Sequence, residues 1–190
     1  MKRFKMLSII LISALILLFF YRYQMLNKKY PNPDNEKYGT GESMLQGNFA
    51  LTLQKAELID GNALSKLAPN TIIACHSDGS AYNENEIRVL LAYIRVEKVK
   101  RCDDTYDFVP ISSESGSWGN GLNIELFMKL NKGISVHEAE IEYNSAIEVV
   151  LPFSMVNTMF KNSEWEKIDF RKFFIVHSLY PVKKVMELTT

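Results

Sequence analysis

From residue 44 to residue 190 the apolar side chains recur mainly at every second position, and that spacing puts them on the faces of strands rather than along helical stripes. In residues 48–59, Phe49, Leu51 and Leu53 alternate with Ala50, Thr52 and Gln54. The phase then moves to Ala56 and Leu58, which predicts a bulge. Residues 87–99 form the longest strand-like segment. Val89, Leu91 and Tyr93 lie on one side and Leu90, Ala92, Ile94 and Val96 on the other, so the strand is expected at the centre of a sheet. Shorter strands are predicted at 71–75, 122–130, 147–151 (ended by Pro152) and 173–176, with a last edge strand at 182–188. A short helix is expected over 154–160, with Ser154 as its cap. Asp60-Gly61-Asn62 and Asn131-Lys132-Gly133 read as turns, and 76–86 and 102–121 as loops. About seven short strands with one or two short helices point to a mostly-β sandwich. The strict alternation of strand and helix in a nucleotide-binding sheet is absent.

The N-terminal segment follows a different rule. Residues 6–21 are apolar apart from Ser8 and Ser13, and Lys2, Arg3 and Lys5 precede them, the layout of a secretory signal or a signal anchor. As a helix this run measures about 24 Å at about 1.5 Å per residue. That is slightly short of a bilayer core of about 30 Å, and Lys5 and Arg22 can reach outward to close the gap. Tyr21-Arg22-Tyr23-Gln24 follows where a cleavage site would need small residues, which favours an uncleaved anchor over a cleaved signal or a buried core helix. Basic residues flank both ends of the run, so charge orients it only weakly. The five residues ahead of it have no room for a domain, and export of the remainder is the simpler reading. Pro31, Pro33, Gly39, Gly41, Asn27, Asn32 and Asn35 predict a flexible tether. The expected organisation is therefore a signal anchor or transmembrane helix at 1–23, a tether at 24–43 and an extracytoplasmic domain at 44–190.

The formal net charge of zero conceals a partition. Lys2, Arg3, Lys5, Arg22, Lys28 and Lys29 precede residue 31, and every acidic residue follows it. Residues 31–190 hold 16 basic against 22 acidic side chains, a net charge of −6. An acidic domain repels phosphates at long range, so nucleic acid is not an expected partner. The basic end suits an anionic membrane surface.

Three pieces carry a resemblance. They are Ser117-Trp118-Gly119-Asn120-Gly121 with Glu125-Leu126-Phe127, then Leu151-Pro152-Phe153-Ser154-Met155-Val156, then Ser178-Leu179-Tyr180-Pro181-Val182-Lys183. Across residues 45–188 the chain resembles an uncharacterised family, a domain of unknown function, of membrane-anchored extracellular proteins of Gram-positive bacteria. The resemblance implies an immunoglobulin-like β-sandwich and an extracellular compartment. It brings no catalytic residue, cofactor or ligand.

The residues themselves point to no active site. His76, His137 and His177 stand apart from any nucleophile elbow, and Gly116-Ser117-Trp118-Gly119 has the wrong spacing for one. His177, at a strand end, is expected to be a partly buried hydrogen-bonder. Cys75 and His76 are adjacent and so point to opposite faces of a strand, which is no zinc cluster. Asp103, Asp104 and Asp107 lack the spacing of a calcium loop and read as a solvated turn. No metal or cofactor is expected. Cys75 and Cys102 enclose 26 residues, and a disulfide between them would stabilise the fold by about 3–4 kcal/mol on a chain-entropy basis. If 71–75 and 87–101 were hairpin partners, however, the two would lie about 40 Å apart, so the bond requires that they not be.

The 102–121 loop is the candidate binding surface, with Trp118, Asn120, Asp103 and Asp104 as its candidate residues. For Trp118 the alternative is a cap on the sandwich edge; Trp165 reads as a core plug beside Phe160 and Ile168. The preferred reading is a non-catalytic, membrane-anchored, extracytoplasmic binding or structural module whose partner is an extracytoplasmic protein or a cell-envelope component. The alternative is an accessory subunit of a membrane complex. Its anchor would need a face of small residues, and Ser8, Ser13 and Ala14 make a poor one. A secreted or anchored enzyme is a distant third, because it needs convergent titratable groups.

Overall fold

The computed structural model describes residues 2–30, 34–179 and 181–188, with side chains from residue 12 onward. Residues 31–33 of the expected tether and Tyr180 of the resemblance lie outside the described residues. The chain divides into two compact units, Met1–Asp34 and Asn35–Thr190.

The first unit is helix α1, Lys2–Lys29. Its side chains are exposed from Ile12 to Tyr30. Among the described residues no helix is long and apolar enough to cross a membrane. The helix runs on past residue 23 into the segment expected to be a tether. Gln24, Met25 and Leu26 are good helix formers, and Lys28 and Lys29 suit the negative end of the helix dipole.

The second unit is mostly β and sandwich-like. Its elements are β1 Asp34–Tyr38, β2 Ser43–Gln46, β3 Phe49–Asp60, α2 Gly61–Leu67, β4 Ile87–Lys98, β5 Ser112–Ser115, β6 Trp118–Gly121, α3 Ile124–Leu130, β7 Ala146–Val156, α4 Asn162–Trp165, β8 Phe173–Ser178 and β9 Val182–Leu188. One sheet has the order β2-β3-β4-β7 and the other β1-β9-β8-β5-β6. Leu51, Leu53, Leu90, Ile94, Leu151 and Phe153 from the first sheet share a buried core with Phe173, Ile175, Met186 and Leu188 from the second. A smaller cluster joins Val89 and Leu91, on the other face of β4, to Leu64 and Ala68 beside α2 and to Leu126 of α3. This explains why β4 is apolar on both faces: the opposite sheet covers one and two short helices cover the other.

The bulge in β3 is present, with the pairing to β4 shifting between Leu53 and Lys55. Several other expectations need correction. Asp60 starts α2 instead of a turn, its carboxylate accepting from the Ala63 N–H at 2.8 Å. Residues 71–75 are not a strand, and only Cys75 bridges to Ala81. β-branching favours extension but cannot supply a partner, and β3 and β4 already have neighbours on both sides.

Residues 124–130 are helical although Leu122, Ile124, Leu126 and Met128 alternate. The Asn123 side chain accepts from the Leu126 N–H at 3.0 Å, and the helix buries Leu126 and Phe127. Pro152 lies inside β7 and does not end it. β7 is the last strand of its sheet, and its outward edge tolerates a residue with no N–H. Ser154 is in that strand too, and the helix expected over 154–160 reduces to one 3-10 turn at Asn157–Met159. Residues 112–121, expected as loop, form the β5–β6 hairpin around Gly116, which turns at φ +60°. β9 is not an edge, because residues 34–38 of the expected tether form β1 beside it. Among the described residues the second unit thus has nine strands and three short α-helices, more than the seven and one or two expected.

Candidate functional site

An open cavity of about 570 Å³ lies where the tip of the β2–β3 hairpin, the β4–β5 connection and β8 converge. The hairpin tip is a two-residue loop, Gly47-Asn48, between the paired residues Gln46 and Phe49. Gly47 turns it at φ +61°, a conformation that favours glycine. The Asn48 carbonyl accepts from the N–H groups of Val99 and Lys100, and its amide donates to the Asp104 carboxylate. The hairpin tip and the β4–β5 connection are thereby tied together.

That connection carries the acidic side chains. Asp103, Asp104 and Asp107 all line the cavity, and no lysine or arginine does so among the described residues. Backbone bonds hold them in place. Tyr106 and Ala139 exchange N–H···O=C bonds at 3.0 Å, and the Phe108 N–H donates to the Val136 carbonyl at 2.9 Å. The Asp107 carboxylate accepts from the Val109 N–H at 3.0 Å and stands 3.7 Å from the exposed His137 imidazole. Beneath, Phe49 and Tyr106 pack edge to face at 5.1 Å. Burial and the neighbouring Asp107 charge push the Tyr106 phenol above its ordinary pKa. The nearby cation is Lys98, which is buried, donates to the Asp104 backbone carbonyl at 2.8 Å and lies over the Phe49 ring.

His177 completes the wall. The pairing of β8 with β9 shifts between Val176 and Ser178, so His177 is the extra residue of a bulge. It is 8 % exposed, and both ring nitrogens are buried without a hydrogen-bond partner among the described residues. Burial pulls its pKa down from 6.5 to about 4, so the ring is neutral at pH 7. The hydrogen bond expected of this histidine is therefore missing. A neutral imidazole offers one donor and one acceptor, and leaving both unmet in a buried setting is unfavourable.

The four candidate residues of the 102–121 segment separate. Asp103 and Asp104 face the cavity. Trp118 is 8 % exposed, stacked on Phe160 at 5.7 Å and edge-on to Phe173 at 5.9 Å, which makes it a core residue and not a contact residue. Asn120 donates to the Ser154 carbonyl at 2.7 Å and stitches β6 to the edge of β7. Trp165 packs against Phe160 at 5.7 Å, as expected of a plug. Cys75 and Cys102 are both free thiols, so the structure holds no bond between them. Among the described residues no group of three or more histidine, cysteine or acidic side chains is placed to hold a metal ion. Asn48 and the bulged position of His177 were missed in the sequence. Gly47-Asn48 between Leu45 and Phe49 is a legible hairpin signal. The bulge at His177 has no sequence mark of that kind.

A family model described as a domain of unknown function (DUF5028) matches residues 35–184. Among solved structures the chain is similar to an uncharacterised β-sandwich protein from Clostridium difficile 630, at 9% identity and a TM-score of 0.48, over 83% of this chain and 96% of that one. It is similar to the yjhA protein from Bacillus subtilis at 13% identity and a TM-score of 0.48, over 80% and 99% of the two chains. A conserved hypothetical protein from Bacillus anthracis matches at 11% identity and a TM-score of 0.47, over 80% and 95%. No curated protein matches the chain.

Proposed function

This chain belongs to the DUF5028 family, a domain of unknown function, and from that premise we propose that it is a non-catalytic binding module held at a membrane by α1. One observation carries the binding half of the reading. Three carboxylates, of Asp103, Asp104 and Asp107, line one open cavity to which no lysine or arginine contributes among the described residues. Carboxylates only accept hydrogen bonds and carry negative charge, so such a cavity favours a partner that brings positive charge and N–H donors. Among the described residues that line the cavity no nucleophile is paired with a base, so the reading is binding rather than catalysis.

The anchoring half rests on the apolar run at 6–21, of which residues 6–11 precede the first described side chain. An exposed helix carrying Leu15, Ile16, Leu17, Leu18, Phe19 and Phe20 is unfavourable in water and favourable in lipid. Basic residues ahead of the run and an acidic remainder support an extracytoplasmic domain on a single-pass anchor. A Gram-positive cell surface and an immunoglobulin-like sandwich agree with the resemblance, since loops at one end of such a sandwich commonly present a binding surface.

Two measurements test the reading. The chain is expected to stay in the membrane fraction through an alkaline wash and to be cut by protease added to intact cells. A soluble, protease-shielded chain would count against anchoring and export. Detergent-solubilised chain is expected to co-sediment with cell-envelope fragments, and Asp103→Asn with Asp107→Asn to reduce that binding. Equal sedimentation of the two forms would count against the cavity.

A further inference from the structure

We propose that the surface around Phe170 is a self-association site, at which a second copy of this chain docks across a two-fold axis and each Phe170 ring enters the other copy's groove. This surface shares no lining residue with the acidic cavity, so the inference stands apart from the reading of that cavity.

A single exposed apolar side chain is ordinary and by itself signifies nothing. What sets Phe170 apart is how it is held. It is 90 % exposed and ends the 3-10 turn Ile168–Phe170. Ile168, at the start of that turn, is buried in the core. Asp169 is paired with Arg88 at 3.2 Å. On the other side, Arg171 donates from Nε to the Ser115 hydroxyl at 2.8 Å and from Nη2 to the Ser115 carbonyl at 2.7 Å, and its guanidinium lies over the Phe160 ring. The Phe170 N–H donates to the Lys167 carbonyl at 3.1 Å, and the Arg171 N–H to the Ile168 carbonyl at 3.1 Å. The backbone is thus fixed on both sides of a ring that points into solvent. An aromatic side chain presented in this way has little freedom left to lose on docking, which is the character of an interface anchor.

Shape and charge select a second copy as the occupant. Beside the ring lies an open groove of about 480 Å³, lined by Ser163, Glu164, Lys167, Phe170 and Arg171. A projecting ring and a groove on one patch are self-complementary, because a two-fold rotation brings each ring over the other groove. Residues 161–172 hold four basic and three acidic side chains, so the patch has no dominant sign. A strongly charged partner or an anionic lipid surface is not favoured there, and a copy of the same patch is not repelled. Glu164 is engaged by Arg171 at 4.0 Å and Asp169 by Arg88. Among the described residues this leaves Lys167 and its neighbour Glu166 as the unpaired charges of the turn, one of each sign. Across a two-fold axis, Lys167 of each copy meets Glu166 of the other and both charges gain a partner. The patch is far smaller than the roughly 20–30 residues a side of a standard interface, so the association is weak and reversible.

The test mixes unlabelled full chain with heavy-nitrogen-labelled full chain in detergent micelles and treats the mixture with a carbodiimide, which joins an amine to a carboxylate only where the two already touch. Mass spectrometry of the digest then separates links between copies, which carry one light and one heavy peptide, from links within a copy. Mixed-label links from Lys167 to Glu164 or Glu166 are expected. Phe170→Ser should lower their yield about tenfold or more, as for the loss of an anchor residue, while its urea midpoint stays at that of the parent because the ring is exposed. If the midpoint does move, the unsubstituted chain decides alone, since its links need no mutation. Absence of mixed-label links in this segment overturns the proposal, including the case in which the chain associates through α1 only. An undiminished yield in a Phe170→Ser chain with the parent's midpoint overturns it as well.

Discussion

Trp118 shows how far a single residue's meaning depends on what packs over it. In sequence it sits between Ser117 and Gly119 in a polar, glycine-rich stretch, the setting of an exposed recognition residue. In the fold Phe160 and Phe173 enclose it. Trp118→Ala is therefore expected to cost about 3–5 kcal/mol, the range for truncating a buried tryptophan. The measurement is the urea midpoint at unchanged m-value, and a midpoint within error of the parent would return Trp118 to the surface. His177 carries a different consequence. Its folded-state pKa, about 4, lies below the ordinary 6.5, so the unfolded chain takes up a proton that the folded chain refuses. Stability from this group is complete above pH 6.5, falls as pH drops towards 4 and levels off below. The loss amounts to about 3 kcal/mol at about 1.4 kcal/mol per pKa unit. His177→Leu should flatten that part of the profile between pH 7 and pH 4.5, measured as the difference in unfolding free energy. An unchanged profile in the variant would assign the pH dependence to other groups.

At the scale of elements, the outer edge of β7 shows why the short helices and the asparagines are where they are. An exposed strand edge invites pairing with another chain. Here alternate positions along the edge are covered in turn. The Asn131 amide donates to the Val150 carbonyl at 2.9 Å, and its oxygen accepts from the Val150 N–H at 2.7 Å, so one side chain imitates a paired strand. The Pro152 carbonyl accepts from the Asn123 N–H at 2.9 Å, and the Ser154 carbonyl accepts from Asn120. Asn123 also caps α3, so the helix is placed by the same residue that covers the strand. Asn131→Ala removes both partners of Val150 and should cost about 2–6 kcal/mol, because each buried polar group left unpaired costs about 1–3 kcal/mol. Asn131→Asp keeps the acceptor and loses the donor, and should fall between. Denaturation midpoints of the three proteins give the order, and a fully tolerated alanine would show that water replaces the amide.

At the scale of the whole molecule, the division into Met1–Asp34 and Asn35–Thr190 matches a division in chemistry, with the six basic residues before position 31 in the first unit and every acidic residue except Asp34 in the second. The second unit draws its core from its own two sheets. Residues 35–190 alone should therefore give a β-dominated circular dichroism spectrum and unfold in one cooperative step. A gradual melt or a helix-dominated spectrum would show that the first unit is needed for folding.

The mostly-β character, the centre strand at 87–98 and the bulge in β3 were legible in the sequence because they are properties of periodicity, and periodicity is local. The charge partition and the acidic stretch holding Asp103, Asp104 and Asp107 were legible for the same reason. Only tertiary structure decided that Leu126 and Phe127 sit on a helix, since their alternating neighbours fit a strand and the Asn123 cap and the outer face of β4 overrode them. Only tertiary structure buried Trp118 and committed Asn120 to β7, because Phe160, Phe173 and Ser154 lie more than thirty residues away in the chain. The same holds for the cavity. Gly47-Asn48, the 103–107 segment and His177 are brought together by pairing between distant strands, and an unpartnered imidazole is defined by everything that fails to reach it. No local pattern in the chain records such a relation.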